Sequence, residues 1–109
     1  MVSEDEILEF ARGLGEFTEE QLVEDEGMGK KTCKVLKREG RIFLVVWEGS
    51  RPLRIEMKCD GKLGKLLRGK YESVLLSRTL GGGGIEVICS GQLTSDEVID
   101  LVRLSWNCC

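Results

Sequence analysis

The sequence predicts a two-layer α+β domain in which helices pack on one side of a five-stranded antiparallel sheet. Two observations predict this class. The chain has 109 residues, of which 41% are hydrophobic, and this is enough for one core and for a single domain spanning 1–109. Apolar residues recur with helical spacing near both ends and with the alternation of strands in the middle. The predicted order is α-β-β-β-α-β-β-α.

Two capping boxes predict the first and the last helix. Ser3-Glu4-Asp5-Glu6 opens a helix with an apolar stripe, and Gly13 ends it. Thr94-Ser95-Asp96-Glu97 opens the last helix in the same way. Between the first helix and the first predicted strand, residues 18–31 are acidic and then glycine-punctuated, so we expect a short helical turn and an exposed loop there.

The middle of the chain shows the alternation of strands. Residues 32–38 and 41–48 are predicted to pair as an antiparallel hairpin, because Glu39-Gly40 suits a tight turn. The second strand is apolar on both faces and is therefore predicted to be central. One face is expected to hold Ile42, Leu44 and Val46, and the other Phe43, Val45 and Trp47. Residues 53–58 alternate apolar and charged side chains, which predicts one buried and one wet face.

A short amphipathic helix and two strands complete the order. Asp60 can cap the helix. Its inward side chains are predicted to be Leu63, Leu66 and Leu67, and its outward ones Lys62, Lys65 and Arg68. Strands 72–77 and 85–90 follow, linked through residues 78–80 and the glycine run 81–84, which is expected to be a flexible hairpin loop. The run leads into a strand and lacks the lysine of a phosphate-binding loop.

The composition excludes several classes of function. Without histidine, the chain has no Ser-His-Asp or Cys-His nucleophilic machinery and no zincin helix. The cysteines form no Cys-x-x-Cys pair, and we expect free thiols at Cys33, Cys59, Cys89, Cys108 and Cys109. We find no membrane span, no signal peptide and no acid–base pair suited to catalysis. We therefore expect a cytoplasmic monomer that is not an enzyme and holds no cofactor or metal.

Charge is strongly segregated along the chain. The net charge of −3 combines −9 over residues 1–29, +9 over residues 30–79 and −3 over residues 80–109. One interpretation is a cationic face that attracts phosphate or an acidic partner. The other is a solvated surface on which the basic middle is paired with the acidic first helix.

Several segments, in this order, resemble the MmcQ/YjbR family of small bacterial domains. They are the end of the first helix at 13–17, the hairpin at 35–43, Lys58-Cys59-Asp60 ahead of a helix, and the terminal Leu104-Ser105-Trp106. The resemblance implies a double-wing, DNA-binding-like fold: an antiparallel sheet with helices packed on it, projecting hairpins, and no bound cofactor. The chain departs from the family at two places. Gly13-Leu14-Gly15 replaces a Pro-Gly pair, and Gly82-Gly83-Gly84-Ile85 replaces a His-Trp-Asn-like motif.

Charge and resemblance together predict a nucleic-acid-binding protein that contacts DNA phosphates through its basic centre. The predicted contact residues are Lys37, Arg38, Arg41, Arg51, Arg54, Lys58, Lys62, Lys65 and Arg68. The alternative is a protein-interaction or chaperone-like domain without catalytic activity, in which the sheet face or a hairpin edge takes up an acidic protein partner. No contact with a membrane is expected.

Overall fold

The computed structural model describes residues 2–26 and 29–108, and among these the side chains of all but residues 24–26 and 30. The helices are α1 (Glu4–Arg12), α2 (Gly61–Lys70) and α3 (Ser95–Asn107). The strands are β1 (Thr18–Glu26), β2 (Gly29–Arg38), β3 (Arg41–Trp47), β4 (Leu53–Lys58), β5 (Val74–Ser77) and β6 (Gly81–Cys89). The strands form one antiparallel sheet in the order β1-β2-β3-β4-β6-β5, which confirms the α+β class.

The sheet has six strands in the described part of the chain, because β1 occupies the segment predicted as a helical turn and a loop. It pairs with β2 along its whole length, from Thr18 opposite Lys37 to Glu26 opposite Gly29. Acidic residues disfavour strands, but here they lie beside a lysine-rich strand. Glu20 Oε1 accepts a hydrogen bond from Lys37 Nζ at 3.2 Å. The prediction for residues 18–31 was therefore wrong over 18–26, which form β1, and over 29–31, which begin β2, and residues 27 and 28 lie outside the described residues.

The two faces of the sheet are covered differently. One face packs against all three helices and forms the main core with residues such as Leu44, Val46 and Ile55, which are fully buried. On the opposite face, here called the open face, Cys33, Val35 and Val45 form a smaller cluster with no helix residue. The sheet is therefore covered by helices on one face and meets solvent on the other.

A β-bulge in β3 changes which residues share a face. Leu36 pairs with Leu44 and Lys37 with Ile42, so Phe43 is an extra residue between the two pairs. Phe43 turns into the main core, where its ring meets that of Trp106 edge-on with centroids 5.0 Å apart. Ile42 instead packs with the open-face cluster. The predicted alternation was therefore wrong for these two residues and right for the rest of β3.

α2 packs on the sheet through its glycine side. Gly64 is buried, and a Cβ added there would lie 3.3 Å from Ile85 Cγ2. Leu63 and Leu67 flank it and are partly buried, whereas Leu66 is 71% exposed, contrary to the prediction that it points inward. Asp60 holds the N-cap position, but its side chain makes no capping hydrogen bond.

The glycine run 81–84 is the first part of β6, and the expectation of a flexible loop was wrong. Ser77 lies opposite Gly81 across a register shift, and the turn between them folds back over β6. A Cβ on Gly84 would lie 2.8 Å from the Met57 carbonyl oxygen and 2.8 Å from the Leu80 side chain. Close approach of backbone and side chain therefore explains glycine at position 84.

Candidate functional site

The nine predicted contact bases fall on three separate parts of the fold. Lys37, Arg38 and Arg41 belong to the β2–β3 hairpin, and Arg51, Arg54 and Lys58 to the β3–β4 turn and β4. Lys62, Lys65 and Arg68 lie on α2, which packs on the helix side of the sheet. The structure therefore does not gather the basic centre on one surface.

Two of the hairpin bases contact other parts of the protein. The Arg38 guanidinium lies 4.4 Å from the centroid of the Trp106 ring, and its Nη1 donates to the Trp106 carbonyl oxygen at 2.8 Å. Lys37 forms the ion pair with Glu20. Arg38 thus fastens the β2–β3 hairpin to the end of α3, which is a structural role.

The open face carries a buried carboxylate that the sequence analysis missed. Glu56 has no exposed surface. Trp47 Nε1 donates to it at 2.8 Å, Ser77 Oγ at 2.8 Å, Thr79 N at 2.9 Å and Thr79 Oγ1 at 3.0 Å. Burial by itself raises the pKa of Glu56, but these hydrogen bonds outweigh it and hold the pKa below its usual value. Glu56 is therefore ionised at neutral pH and ties β3, β4 and β5 together.

A second buried carboxylate lies directly beside the first. Glu86 on β6 is the register partner of Glu56 and is 1% exposed. Its Oε1 accepts from Arg54 Nη2 at 2.7 Å and lies 3.7 Å from Arg78 Nε. Arg54 is thus held by an internal ion pair, with its side chain 23% exposed. Charged residues alternate along β4, which is typical of a wet face, and Glu86 is the one charged residue of β6. The sequence therefore carried no signal of this burial.

The exposed side of α2 carries four basic side chains. We define its basic face as Lys62, Lys65, Arg68 and Lys70, all of which are exposed. Among the side chains that the structure describes, no carboxylate oxygen lies within 4.0 Å of the charged nitrogens of these four residues. Leu66 stands among them, and α2 itself contains no acidic residue. Lys70 was not among the predicted contact residues; its position after Arg68 on the same helix is the signal that could have found it.

The described part of the chain has neither a cluster of metal ligands nor a membrane-spanning helix. No group of three or more Cys, Asp or Glu side chains is arranged there to hold a metal ion. None of the helices combines the length and the apolar character needed to cross a membrane.

Comparisons with known proteins identify the fold. No family model matches the sequence, and no curated protein matches it. Among solved structures, the chain is similar to the crystal structure of Deinococcus radiodurans protein DR2400, which carries the family-model domain DUF419. The TM-score is 0.74 with 18% sequence identity, over 97% of this chain and 77% of that chain. At this identity the similarity shows a shared fold and nothing about activity.

Proposed function

We propose that the protein binds nucleic acid through the phosphate backbone, using the basic face of α2. The observation that carries the proposal is a helix of ten residues with four exposed bases and, among the described side chains, no carboxylate within 4.0 Å of them. Such a helix is about 15 Å long. Bases along this length can meet several phosphates of one strand, and contacts of this kind give affinity without sequence preference.

The placement of the acidic segment supports the same surface. β1, with five acidic residues, is the first edge strand of the sheet, whereas α2 packs on β5 and β6 at the other edge. A polyanion that approaches α2 is therefore kept away from the most acidic strand. Some acidic side chains do lie closer, since Glu97 at the start of α3 accepts a hydrogen bond from Tyr71 Oη at 3.4 Å.

The proposed interface is smaller than the predicted one. Three predicted residues remain in it, Lys62, Lys65 and Arg68, and Lys70 joins them. Arg38 and Arg54 leave it because they are held by Trp106 and Glu86, on other elements. Arg68 stays, because its one internal hydrogen bond, from Nε to the Gly64 carbonyl oxygen at 3.3 Å, is within α2. The remaining predicted residues lie outside α2 and are not part of the proposed interface: Lys37, Arg41, Arg51 and Lys58. The MmcQ/YjbR resemblance, with its DNA-binding-like fold, agrees with this proposal. A cytoplasmic location in a bacterial cell is part of the same proposal.

Salt dependence tests the proposal. Neutralising about four phosphates gives a slope near −3.6 in a plot of log affinity against log salt, so binding should weaken about 150-fold between 50 and 200 mM salt. Fluorescence anisotropy with labelled duplex and single-stranded oligonucleotides measures this slope. Affinity that does not change with salt, or no binding at about 50 mM salt, would overturn the proposal.

Two triple variants of equal charge locate the interface. Lys62→Gln/Lys65→Gln/Lys70→Gln should reduce the steepness of the slope by about 2.7, because three phosphate contacts are lost. The control, Lys37→Gln/Arg41→Gln/Arg51→Gln, removes the same charge from predicted residues outside α2 and should change the slope by less than about 1. Equal effects of the two variants would show that net charge, and not the basic face, determines binding.

An acidic protein partner is the second candidate, and exposed Leu66 favours it. A side chain that is 71% exposed among bases suits a partner that offers both carboxylates and an apolar group. Leu66→Ser should leave phosphate-backbone binding unchanged but weaken a protein complex about tenfold or more. Retention of the partner from nuclease-treated lysate by the wild type, and its loss with Leu66→Ser, would favour this candidate over nucleic acid.

A further inference from the structure

A small, mostly apolar cavity lies between the start of α2 and the end of α3. Its volume is about 160 Å³. Leu101, Leu104 and Cys108 line it from α3 and its C-cap, where their spacing places them on one side of the helix. Cys59 lines it from the junction between β4 and α2. Two cysteines that are far apart in the sequence therefore share one cavity.

The fold fixes the position of Cys59 beside β6 and under α2. Its backbone N–H donates to the Gly83 carbonyl oxygen at 3.0 Å, which holds the residue against β6. A Cβ built on buried Gly64 would lie 3.9 Å from Cys59 Sγ, so the sulfur lies close to the glycine side of α2. Cys59 is partly buried and not fully enclosed. Its thiol can therefore be reached from the cavity but presents little surface to solvent.

Cys108 is the exposed member of the pair and lies close to Cys59. Its backbone N–H donates to the Leu104 carbonyl oxygen at 3.0 Å, so it closes the last turn of α3. Burial raises the pKa of Cys59, and the next largest cause is the charge of Cys108, ahead of the carboxylate of Asp60. Asp60 is the next residue in the chain, and electrostatic effects weaken with distance. The order of these two effects therefore indicates that the two sulfur atoms are near neighbours.

The other two described cysteines lie elsewhere in the fold. Cys33 belongs to the open-face cluster, on the far side of the sheet from the helices. Cys89 is 3% exposed and belongs to the main core. Neither lines the cavity. Among the described cysteines, Cys59 and Cys108 are therefore the pair whose thiols face a common space.

We propose that Cys59 and Cys108 are a site of reversible oxidation, at which a disulfide across this cavity joins the start of α2 to the end of α3. Disulfide geometry is specific, so the two side chains must be free to turn toward each other. An apolar cavity of about 150 Å³ admits benzene, so this cavity leaves each sulfur room to change between staggered positions. The proposal is independent of nucleic-acid binding by α2.

The oxidant is a small-molecule disulfide such as glutathione disulfide, and the reaction is thiol–disulfide exchange. The thiolate of exposed Cys108 attacks one sulfur of glutathione disulfide and releases one glutathione thiolate, which leaves a mixed disulfide on Cys108. The thiolate of Cys59 then attacks the Cys108 sulfur and releases the second glutathione. The two cysteines lose two protons and two electrons, and the oxidant is reduced to two glutathione molecules. Burial raises the pKa of Cys59, so exposed Cys108 reacts first and Cys59 second.

Oxidation of the folded protein by glutathione disulfide, followed by tryptic digestion and mass spectrometry of the monomer, tests the pair. The disulfide joins peptide 59–62 to peptide 104–109. Cys109→Ser removes the neighbouring thiol and should leave the yield of the linked peptides within about twofold of the wild type. Cys108→Ser should lower that yield about tenfold or more. Absence of the link in Cys109→Ser, or equal yields from the two variants, would overturn the proposal.

A second pair of variants, made in the Cys109→Ser background, separates the two chemical steps. Adding Cys59→Ser should make the glutathione adduct of Cys108 accumulate about tenfold or more, because no second thiol displaces it. Adding Cys33→Ser, at the open face, is the matched control and should change neither the adduct nor the link. Circular dichroism verifies that each variant is folded. An adduct that accumulates equally with and without Cys59 would overturn the proposal.

Discussion

Replacing Glu56 by glutamine tests whether one buried carboxylate holds the open face together. The substitution preserves the size of the side chain and removes its charge. The residue is fully buried, so the change acts inside the protein and not at a solvated surface. Its four hydrogen bonds come from β3, from the last residue of β5 and from the turn after it. Disturbing them should therefore weaken the contacts among β3, β4 and β5.

The expected loss of unfolding free energy follows from how the four donors are divided between the two oxygens of Glu56. Oε1 accepts from Ser77 Oγ and Thr79 N, and Oε2 accepts from Trp47 Nε1 and Thr79 Oγ1. Glutamine puts an NH₂ group in place of one oxygen. The hydroxyls can turn their protons away, but the Thr79 and Trp47 N–H groups cannot, so either amide orientation leaves one N–H facing a donor. One unsatisfied donor costs about 1–3 kcal/mol, and we expect the free energy of unfolding to fall by this amount.

The pH dependence distinguishes loss of charge from loss of shape. Because the pKa of folded Glu56 lies below the usual value of 4.5, the ionised carboxylate contributes stability at higher pH. That contribution is lost as the pH falls through the lowered folded value. The difference in unfolding free energy between wild type and Glu56→Gln should therefore be full at neutral pH and shrink below pH 4.5.

Urea unfolding followed by far-UV circular dichroism measures both effects. Glu72→Gln, at an exposed position, is the matched control and should stay within about 0.5 kcal/mol of the wild type. A Glu56→Gln protein that is equally stable at neutral pH would refute the role of the carboxylate. A stability difference that stays constant on acidification would refute the role of its charge.

Three further substitutions or modifications test other contacts. Gly84→Ala places a Cβ 2.8 Å from a backbone carbonyl oxygen of β4 and should lower the free energy of unfolding, measured in urea, by about 1–3 kcal/mol. The control Gly82→Ala places its Cβ in open space and should lower it by less than about 0.5 kcal/mol. Arg38→Gln should lower the unfolding free energy by about 1–2 kcal/mol but leave the salt slope of nucleic-acid binding unchanged; a reduced slope would place Arg38 in the interface. Burial raises the pKa of the Cys89 thiol to about 11. Iodoacetamide at about pH 8 should therefore modify exposed Cys108 in the native protein and leave Cys89 intact. Labelling of Cys89, detected by peptide mass spectrometry, would contradict its burial.

Local signals in the sequence predicted element types wherever capping and periodicity agreed. Thr94 and Glu97 form both hydrogen bonds of the predicted capping box, at 3.0 and 3.2 Å. β1 was missed because its local composition argues against a strand. Five of its nine residues are acidic, and strands are depleted in such residues. It forms by pairing along its whole length with the neighbouring basic strand, where Glu20 meets Lys37. A long-range partner of this kind cannot be recognised from the segment itself.

The bulge in β3 shows a second limit of sequence patterns. Both faces of β3 are apolar, so a shift of alternation between Ile42 and Leu44 leaves the hydrophobic pattern unchanged. Nothing in the sequence therefore indicated that Phe43 joins the helix side. The same ambiguity hid Glu56 and Glu86, because the pattern of a wet strand face also fits a face on which carboxylates are buried by their own donors.

Whether a cluster of bases in the sequence becomes a cluster on the surface depends on the element that carries it. In a strand, neighbouring residues alternate between faces, so the bases of β2 are divided between the two faces. Cross-strand partners such as Glu20 and Glu86 neutralise some of the bases of β2 and β4. In a helix, residues three or four positions apart stay on one side. Lys62 and Lys65 have this spacing, and Lys70 lies near them on the same exposed side. Of the basic residues at 30–79, those of α2 therefore remain together on one exposed side after folding. Charge summed along the sequence overestimates the size of any phosphate-binding surface.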